Sequence, residues 1–272
     1  MRIAEVEVIP YALPFERPYV TARGTLERRE MILLRLRTEA GVVGLGEAVP
    51  LSLRGGDTPR RVERSLVRVA KRLARLDVAA MASEQPLAAA VDAVIHVAAG
   101  RRLPAPAKAA VEMVLFDLAG RLSGTPLWRM LRAETSAPLR CNATLAADSP
   151  RRLAAESTAW RERGFETFKL KLGMGDEAER ARAVREAVGP DARLRVDANG
   201  AWSTDRAVAV LDEIEPLGIE LVEQPVAEPS GMADVTAATS ILVAADETVE
   251  RVKDAARAKR ARECDLTTVK LS

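Results

Sequence analysis

Five charged side chains recur along the second half of the chain at an almost constant spacing. Lys171, Asp197, Glu223, Asp246 and Lys270 follow one another at intervals of 23 to 26 residues, each at or near the end of a short apolar run. Three carboxylates in one cavity repel each other unless a cation lies between them, and oxygen ligands suit Mg²⁺ or Mn²⁺. A lysine beside such an ion can act as a base. The pattern therefore predicts proton abstraction next to a metal-bound carboxylate.

Lysine is rare in this chain and is concentrated in the charged segments. Seven of the 41 basic residues are lysine and the other 34 are arginine. Three of the seven, Lys169, Lys171 and Lys270, belong to the charged segments. Because a lysine amine can be tuned to exchange a proton whereas arginine stays protonated, this usage favours proton-transfer chemistry over solvation.

The spacing also predicts the elements that position these charges, since each interval accommodates one strand, one helix and two short loops. From residue 137 to 272 we expect six strands with five helices between them, a partial (β/α) barrel. The carboxyl ends of its strands share one mouth, where Asp197, Glu223 and Asp246 would converge from adjacent strands. A closed barrel needs about eight strands. We therefore expect the C-terminal strands to be missing from this sequence, and an open sheet is the alternative.

The first part of the chain has a different pattern. Residues 1–13 alternate like a strand, Pro14 and Pro18 are expected to break it, and the segment to Leu26 is expected to be a mobile loop. A β-hairpin follows over 29–49, and three helices follow the hairpin. The fold class is therefore α/β overall, with an α+β domain over 1–136 and the barrel domain over 137–272.

Composition and isolated residues exclude several classes of protein. The net charge of +2 gives no reason to expect a nucleic-acid partner, and no apolar run is long enough to span a membrane. Cys141 and Cys264 lack metal or redox spacing, so we expect free thiols in a reducing cytoplasm. His96 is the only histidine, which disfavours a His-based triad or a zinc site. Gly173–Gly175 is too short for a dinucleotide loop.

Each charged residue also has a simpler interpretation when it is taken alone. An acid at a strand end is often a helix cap or a surface residue, and Lys169 with Lys171 could form a solvated strand face. One of Asp246 and Glu247 is expected in the first turn of the next helix. The functional interpretation depends on five consecutive strand ends that carry these charges at βα spacing.

The same segments resemble the enolase superfamily, in its muconate-lactonizing subgroup. The barrel segments that carry the resemblance are Lys169–Lys171, Val196–Gly200, Val222–Pro225, Ala245–Glu247 and Val269–Leu271, and looser matches are Gly44–Pro50 and Ala107–Leu118. The resemblance implies an N-terminal α+β capping domain over a modified (β/α) TIM-type barrel. It also implies that a capping loop formed by Pro18–Thr25 and Leu51–Gly55 closes over the substrate.

The resemblance further implies a role for each charged residue. Asp197, Glu223 and Asp246 would bind Mg²⁺, with Mn²⁺ as an alternative, and Asn199 would support the metal shell. Lys171 would be the base on one face, and Lys169 beside it would lower its pKa. Lys270 would be the acid, base or stabilising cation on the other face, which distinguishes this subgroup from the mandelate-racemase-like one.

Several activities are compatible with this set of residues. All abstract the proton alpha to a substrate carboxylate through an enediolate intermediate. Dehydration by an o-succinylbenzoate synthase is the main prediction, on the segments Gly46–Leu51 and Cys141–Leu145. The alternatives are dipeptide epimerase, N-acylamino acid racemase, muconate-type cycloisomerase and, outside enzymes, an inactive metal-binding barrel. The expected partner is a small-molecule carboxylate, and the resemblance implies a homo-oligomer.

Overall fold

A computed structural model describes residues 1–21, 24–50, 56–83, 85–98, 103–132, 134, 138–146 and 149–270. The Cα positions divide these residues into two compact units, Met1–Glu16 with Arg28–Pro138, and Arg17–Glu27 with Leu139–Lys270. The predicted domain boundary at residues 136 and 137, and the capping-loop segment at 51–55, lie outside the described residues. No helix within the described ranges is long and apolar enough to cross a membrane.

The first unit is built on most of a three-stranded sheet and the helices that share its core, while the strand residues within Arg17–Glu27 belong to the second unit. The sheet has the order β1-β2-β3, with β1 at Ile3–Thr21, β2 at Gly24–Thr38 and β3 at Val43–Ala48, and β3 pairs antiparallel with β2. The helices are α1 at Pro59–Leu73, α2 at Pro86–Ala98, α3 at Ala105–Ser123 and α4 at Leu127–Met130.

The predicted break in the first strand is wrong. The structure continues β1 through Pro14 and Pro18 as far as Thr21, and β2 begins at Gly24, so the segment expected to be a loop to Leu26 is largely strand. β1 is an edge strand. A proline is tolerated there, because the backbone position that lacks an N–H can face away from the partner strand.

Two glycines of β3 allow the strand to pack closely against α3. A Cβ on Gly44 would lie 2.7 Å from the Val114 carbonyl oxygen. A Cβ on Gly46 would lie 2.8 Å from the Val114 nitrogen and closer still to the Ala110 carbonyl oxygen. Since helix backbone cannot rotate out of the way as a side chain can, both positions require the absence of a side chain.

The second unit is a parallel sheet of six strands that follow one another in chain order, β4 to β9, as the spacing predicts. The strands are β4 at Ala143–Leu145, β5 at Thr167–Lys171, β6 at Arg193–Asp197, β7 at Ile219–Glu223, β8 at Leu242–Ala245 and β9 at Leu266–Thr267. The helices are α5 at Pro150–Glu162, α6 at Glu177–Val188, α7 at Thr204–Ile214, α8 at Pro229–Ala238 and α9 at Val252–Ala261.

Strand alternation separates the apolar core from the charges. Phe168, Leu170 and Val196 are fully buried and belong to the hydrophobic core of this unit. Lys169 and Lys171 alternate with them and therefore point to the opposite face of the sheet. Burial of the apolar face thus fixes which way the lysines point.

One arginine joins the ends of several elements at the base of this unit. Arg185, near the end of α6, donates hydrogen bonds to five backbone carbonyls, those of Leu217, Gly189, Ala192 and Gly218 at 2.7 to 3.0 Å and that of Pro190 at 3.4 Å. These carbonyls follow α6 and α7, where helix ends leave acceptors unsatisfied. The planar guanidinium, with five donors, can satisfy several of them at once.

Candidate active site

The strand register brings the predicted residues of neighbouring strands to one level. Lys171 pairs with Asp197 between β5 and β6, and Asp197 pairs with Glu223 between β6 and β7. Glu223 pairs with Ala244 of β8. Side chains two residues apart along a strand point to the same face, so Asp246 continues the alternation on the face of Ala244. The register therefore places Asp197 and Glu223 side by side, with Asp246 two residues beyond the partner of Glu223 on the next strand.

Lys169 links the first two carboxylates, and Lys171 binds one of them. Lys169 Nζ lies 2.6 Å from Glu223 Oε2 and 2.9 Å from Asp197 Oδ2. Lys171 Nζ lies 2.6 Å from the same Asp197 oxygen. The two amines are therefore close together, as the spacing of Lys169 and Lys171 predicts, and they share a fully buried carboxylate.

The electrostatic environment shifts the pKa of three of these groups. Burial acts to raise the pKa of Asp197, but the charges of Lys169 and Lys171 outweigh it and hold the pKa below its usual value. Burial and the Asp197 charge raise the pKa of Glu223, against the opposing effect of Lys169. Burial acts to lower the pKa of Lys169, but the two carboxylates outweigh it and raise that pKa.

The remaining predicted pair lies on the other side of Glu223. Lys270 Nζ contacts Asp246 Oδ1 in an ion pair, with Asp246 buried and Lys270 partly exposed. The sequence predicts that Lys270 lies on the sixth strand. This prediction is wrong, because β9 ends at Thr267 and Lys270 follows it. Pairing continues only to Thr268, whose N–H donates to the Ala245 carbonyl at 2.7 Å.

Asn199 contacts the part of the site that contains Lys171, the predicted catalytic base. Its backbone is left-handed, with φ 49°, and its N–H donates to Asp197 Oδ1 at 2.9 Å. Its Oδ1 accepts a hydrogen bond from Lys171 at 2.9 Å, and its Nδ2 donates to Glu247 Oε1 at 3.1 Å. Asn199 therefore orients both a predicted ligand and a predicted base.

Sequence reasoning missed three residues around this mouth. Glu247 contacts Asn199, and it is not in a helix, because α9 begins at Val252; the expectation that Asp246 or Glu247 starts that helix is wrong. Gln224 lies within the charged segment that ends β7, yet its role depends on contacts with other strands. Glu177 lies at the start of α6 and has no sequence motif.

Glu177 joins two loops that leave the mouth of the sheet. It is buried and accepts hydrogen bonds from Trp202 Nε1 at 3.3 Å, Arg206 Nη2 at 2.7 Å and the Gly175 N–H at 3.2 Å. Burial acts to raise the pKa of Glu177, but these and its own backbone hydrogen bonds lower it overall. The ionised carboxylate therefore holds the loop after β5 against the loop after β6.

The carboxylates have the ligand chemistry of a magnesium site, although lysines bind them in this structure. Among the residues described, no three His, Cys, Asp or Glu side chains are already arranged to hold an ion. The charges of Asp197 and Asp246 both raise the pKa of Glu223, so the three carboxylates lie within electrostatic reach of one another. An all-carboxylate set fits a hard divalent cation such as Mg²⁺.

Comparisons with known proteins identify the family. The mandelate racemase / muconate lactonizing enzyme N-terminal domain matches residues 3–131, and the enolase C-terminal domain-like family matches residues 152–272. The L-Ala-D/L-Glu epimerase of Bacillus subtilis is 34% identical over all of this chain and 74% of its own length. Muconate cycloisomerase 1 of Acinetobacter baylyi is 27% identical over 98% of this chain and 72% of its own length.

A solved structure supports the same assignment. The dipeptide epimerase of Enterococcus faecalis V583, complexed with Mg and the dipeptide L-Leu-L-Tyr, superposes with a TM-score of 0.90 at 28% identity, over all of this chain and 75% of that one. The chain belongs to the enolase superfamily, in its muconate-lactonizing subgroup. The predicted fold class, a capping domain followed by a barrel-like domain, is confirmed.

The comparisons also bear on the class of reaction. The relatives are epimerases, racemases and cycloisomerases, so the chain is an enzyme of the isomerase type, and the lyase part of the prediction is not supported. The main prediction, an o-succinylbenzoate synthase, finds no support among these relatives. The dipeptide epimerase alternative is better supported.

Proposed function

We propose that this protein is a Mg²⁺-dependent dipeptide epimerase, which inverts the carbon next to the terminal carboxylate of a dipeptide. The observation that carries the proposal is the order of charges along the sheet. Lys171 lies at one side, three carboxylates follow on the next three strands, and Lys270 lies at the other side. Inversion needs a proton acceptor and a proton donor on opposite faces of one carbon, and Lys171 and Lys270 would supply them.

The carboxylates of Asp197, Glu223 and Asp246 would hold the ion. Bound Mg²⁺ would stabilise the negative charge that develops on the substrate carboxylate when the neighbouring carbon loses its proton. The donor set supports this assignment, and so does the Mg in the related structure.

The lysines would carry the proton on and off the carbon. Lys171 Nζ would remove it on one face, with Asn199 fixing the position of the amine. Lys270 would return a proton on the other face. Lys169, whose amine contacts the same Asp197 oxygen as that of Lys171, would hold Asp197 and Glu223 beside the base.

The relatives favour epimerisation over dehydration, and the two amines suit either reaction. A dehydratase needs one base and one cation, whereas an epimerase uses both amines as acid and base. The relatives from Bacillus subtilis and Clostridium acetobutylicum, 34% and 32% identical to this chain, are both L-Ala-D/L-Glu epimerases. L-Ala-L-Glu and L-Ala-D-Glu are therefore the substrates to test first.

Hydrogen exchange in D₂O tests both the reaction and the two lysines. With Mg²⁺, wild type should replace the α-proton of Glu by deuterium and interconvert the two dipeptides, as followed by ¹H NMR. Lys171→Ala and Lys270→Ala should each slow interconversion by about 10²–10⁴-fold, the usual contribution of an acid–base group. Each variant should still exchange the one isomer whose proton faces the remaining lysine.

Lys253→Ala is the matched control, because Lys253 is an exposed lysine of α9. This variant should keep the wild-type rate. Wild-type protein that binds Mg²⁺ but neither exchanges nor interconverts these and related dipeptides would refute the proposed activity. Mn²⁺ as an alternative ion, a homo-oligomeric assembly and a cytoplasmic location remain predictions.

A further inference from the structure

Gln224, the residue directly after Glu223, has an unusual backbone for its position. It is fully buried, and its φ is 41°, in the left-handed region that residues other than glycine rarely adopt. Such a conformation is strained and persists only where the surroundings enforce it. The contacts of Gln224 show what enforces it.

The side-chain amide of Gln224 binds the backbone that follows β8. Its Oε1 accepts hydrogen bonds from the Asp246 N–H at 2.8 Å and from the N–H and hydroxyl of Thr248, each at 3.3 Å. Its Nε2 donates to the Val226 carbonyl at 2.8 Å. One planar group thus joins the end of β7 to the segment that carries Asp246.

The backbone of Gln224 extends these links to the strands on both sides. Its N–H donates to the Ala244 carbonyl of β8 at 2.8 Å, and its carbonyl accepts from the Gly200 N–H, after β6, at 2.7 Å. The residue therefore contacts the ends of β6, β7 and β8. These three strands lead to the three candidate ligands Asp197, Glu223 and Asp246.

The far side of the Asp246 segment is held by α9. Arg257 Nη2 donates to the Thr248 carbonyl at 2.7 Å, and Arg257 Nε donates to the buried Glu263 at 3.0 Å. Thr248 is therefore fixed between Gln224 and Arg257. The Gln224 amide is the member of this network that reaches the Asp246 backbone.

We infer that Gln224 is a positioning residue for the metal site, which sets the place of Asp246 relative to Glu223 and Asp197. The inference rests on the proposed function, because it assigns the three carboxylates to one Mg²⁺. It requires an acceptor and a donor on one planar group, which glutamine supplies and which neither glutamate at neutral pH nor an apolar residue of the same length does. Residues that orient ligands in this way typically change metal affinity 10- to 100-fold when they are replaced.

Gln224→Met tests the inference, because methionine has similar length but makes none of the amide hydrogen bonds. Isothermal titration with Mg²⁺ should show affinity about 10- to 100-fold weaker than that of wild type. Thr236→Val is the matched control. Thr236 lies on α8 of the same unit and donates from its hydroxyl to the Met232 carbonyl at 2.9 Å and the Glu263 carbonyl at 3.0 Å. The control should lose stability and keep the wild-type Mg²⁺ affinity.

The outcomes separate this inference from the proposed function. Wild type that binds no Mg²⁺ would overturn both. Wild type that binds Mg²⁺, with a folded Gln224→Met variant of the same affinity, would overturn only the role of Gln224. An equal loss of affinity in Thr236→Val would also overturn it, because the loss would then follow from stability alone. If Gln224→Met does not fold, Gln224→Asn takes its place: its shorter amide cannot reach both partners, so unchanged affinity would overturn the inference.

Discussion

Replacing Lys169 by methionine should destabilise the metal-free protein strongly. The Lys169 side chain is 19% exposed and pairs with two carboxylates that are 0% and 8% exposed. Methionine fills similar volume but leaves Glu223 without the amine that pairs with it here. Removal of one partner from a buried ion pair costs about 3–5 kcal/mol. Because Lys169 keeps some contact with water, we expect the free energy of unfolding to fall by about 2–4 kcal/mol near pH 7.

The pH dependence of this deficit has a definite sign. Lys169 opposes the burial and the Asp197 charge that raise the pKa of Glu223, so its loss raises that pKa further. A carboxyl whose folded pKa exceeds its unfolded value, here 4.5, binds more protons in the folded state, so stability falls as pH rises through that window. The deficit should therefore be largest above the folded pKa of Glu223 and shrink as pH falls towards 4.5.

The titration of Asp197 also makes the stability deficit of Lys169→Met smaller at acid pH than at neutral pH. Despite burial, Lys169 and Lys171 hold the pKa of Asp197 below its unfolded value of 3.8. That stabilisation is present above 3.8 and is lost as pH falls through the folded pKa. The variant loses part of it at neutral pH, and the difference from wild type again narrows in acid.

Urea unfolding followed by circular dichroism, in EDTA and at several pH values, measures this deficit. Lys108→Met is the control: Lys108 pairs with Glu112 at 3.4 Å on the surface of α3 and is 57% exposed, so its loss should cost no more than about 1 kcal/mol. Added Mg²⁺ should restore much of the stability of Lys169→Met, since a bound ion stabilises the folded state. A deficit that grows in acid, or that equals the control, would refute the assigned charge balance.

Three further predictions follow from the packing and hydrogen bonds. Gly46→Ala should lower the free energy of unfolding by about 1–3 kcal/mol in urea titrations, because its Cβ would overlap the Ala110 carbonyl, whereas Ala at the exposed neighbour Leu45 should cost less. Arg185→Lys should cost about 2 kcal/mol, since one amine cannot satisfy five carbonyls, and calorimetry should show no change in Mg²⁺ affinity. Glu177→Gln should be less stable than wild type at neutral pH. That difference should shrink once pH falls below the unfolded pKa of 4.5 and vanish below the lower folded pKa, because a lowered carboxyl pKa stabilises the fold fully only above the unfolded value; a pH series of thermal melts tests this.

The sequence predicts the charged face of the sheet because local rules decide it. Alternation places Lys169 and Lys171 opposite Phe168 and Leu170, and βα spacing orders the strands that follow. Parallel pairing in register then needs no further information to align Lys171 with Asp197.

Features that depend on contacts between distant segments could not be predicted in the same way. Pro14 and Pro18 are expected to break a strand unless the strand is known to lie at a sheet edge. In the sequence, Gly44 and Gly46 give no sign of a packing role. Their need for glycine becomes visible only when the structure places α3 against them. Gln224 directly follows a predicted ligand, but its role comes from Asp246, which lies more than 20 residues away.

The charges at the mouth also argue against an inactive metal-binding barrel. Binding of Mg²⁺ needs only the three carboxylates, and desolvation of an amine such as that of Lys171, 5% exposed, is costly. Amines at both sides of the carboxylates have a direct use if a proton must leave one face of a carbon and return to the other. An inactive barrel would keep its Mg²⁺ affinity and show no exchange in wild type. An epimerase in which either Lys171 or Lys270 is replaced should instead still exchange one isomer while interconversion slows by about 10²–10⁴-fold. That partial loss is a result that metal binding alone cannot produce.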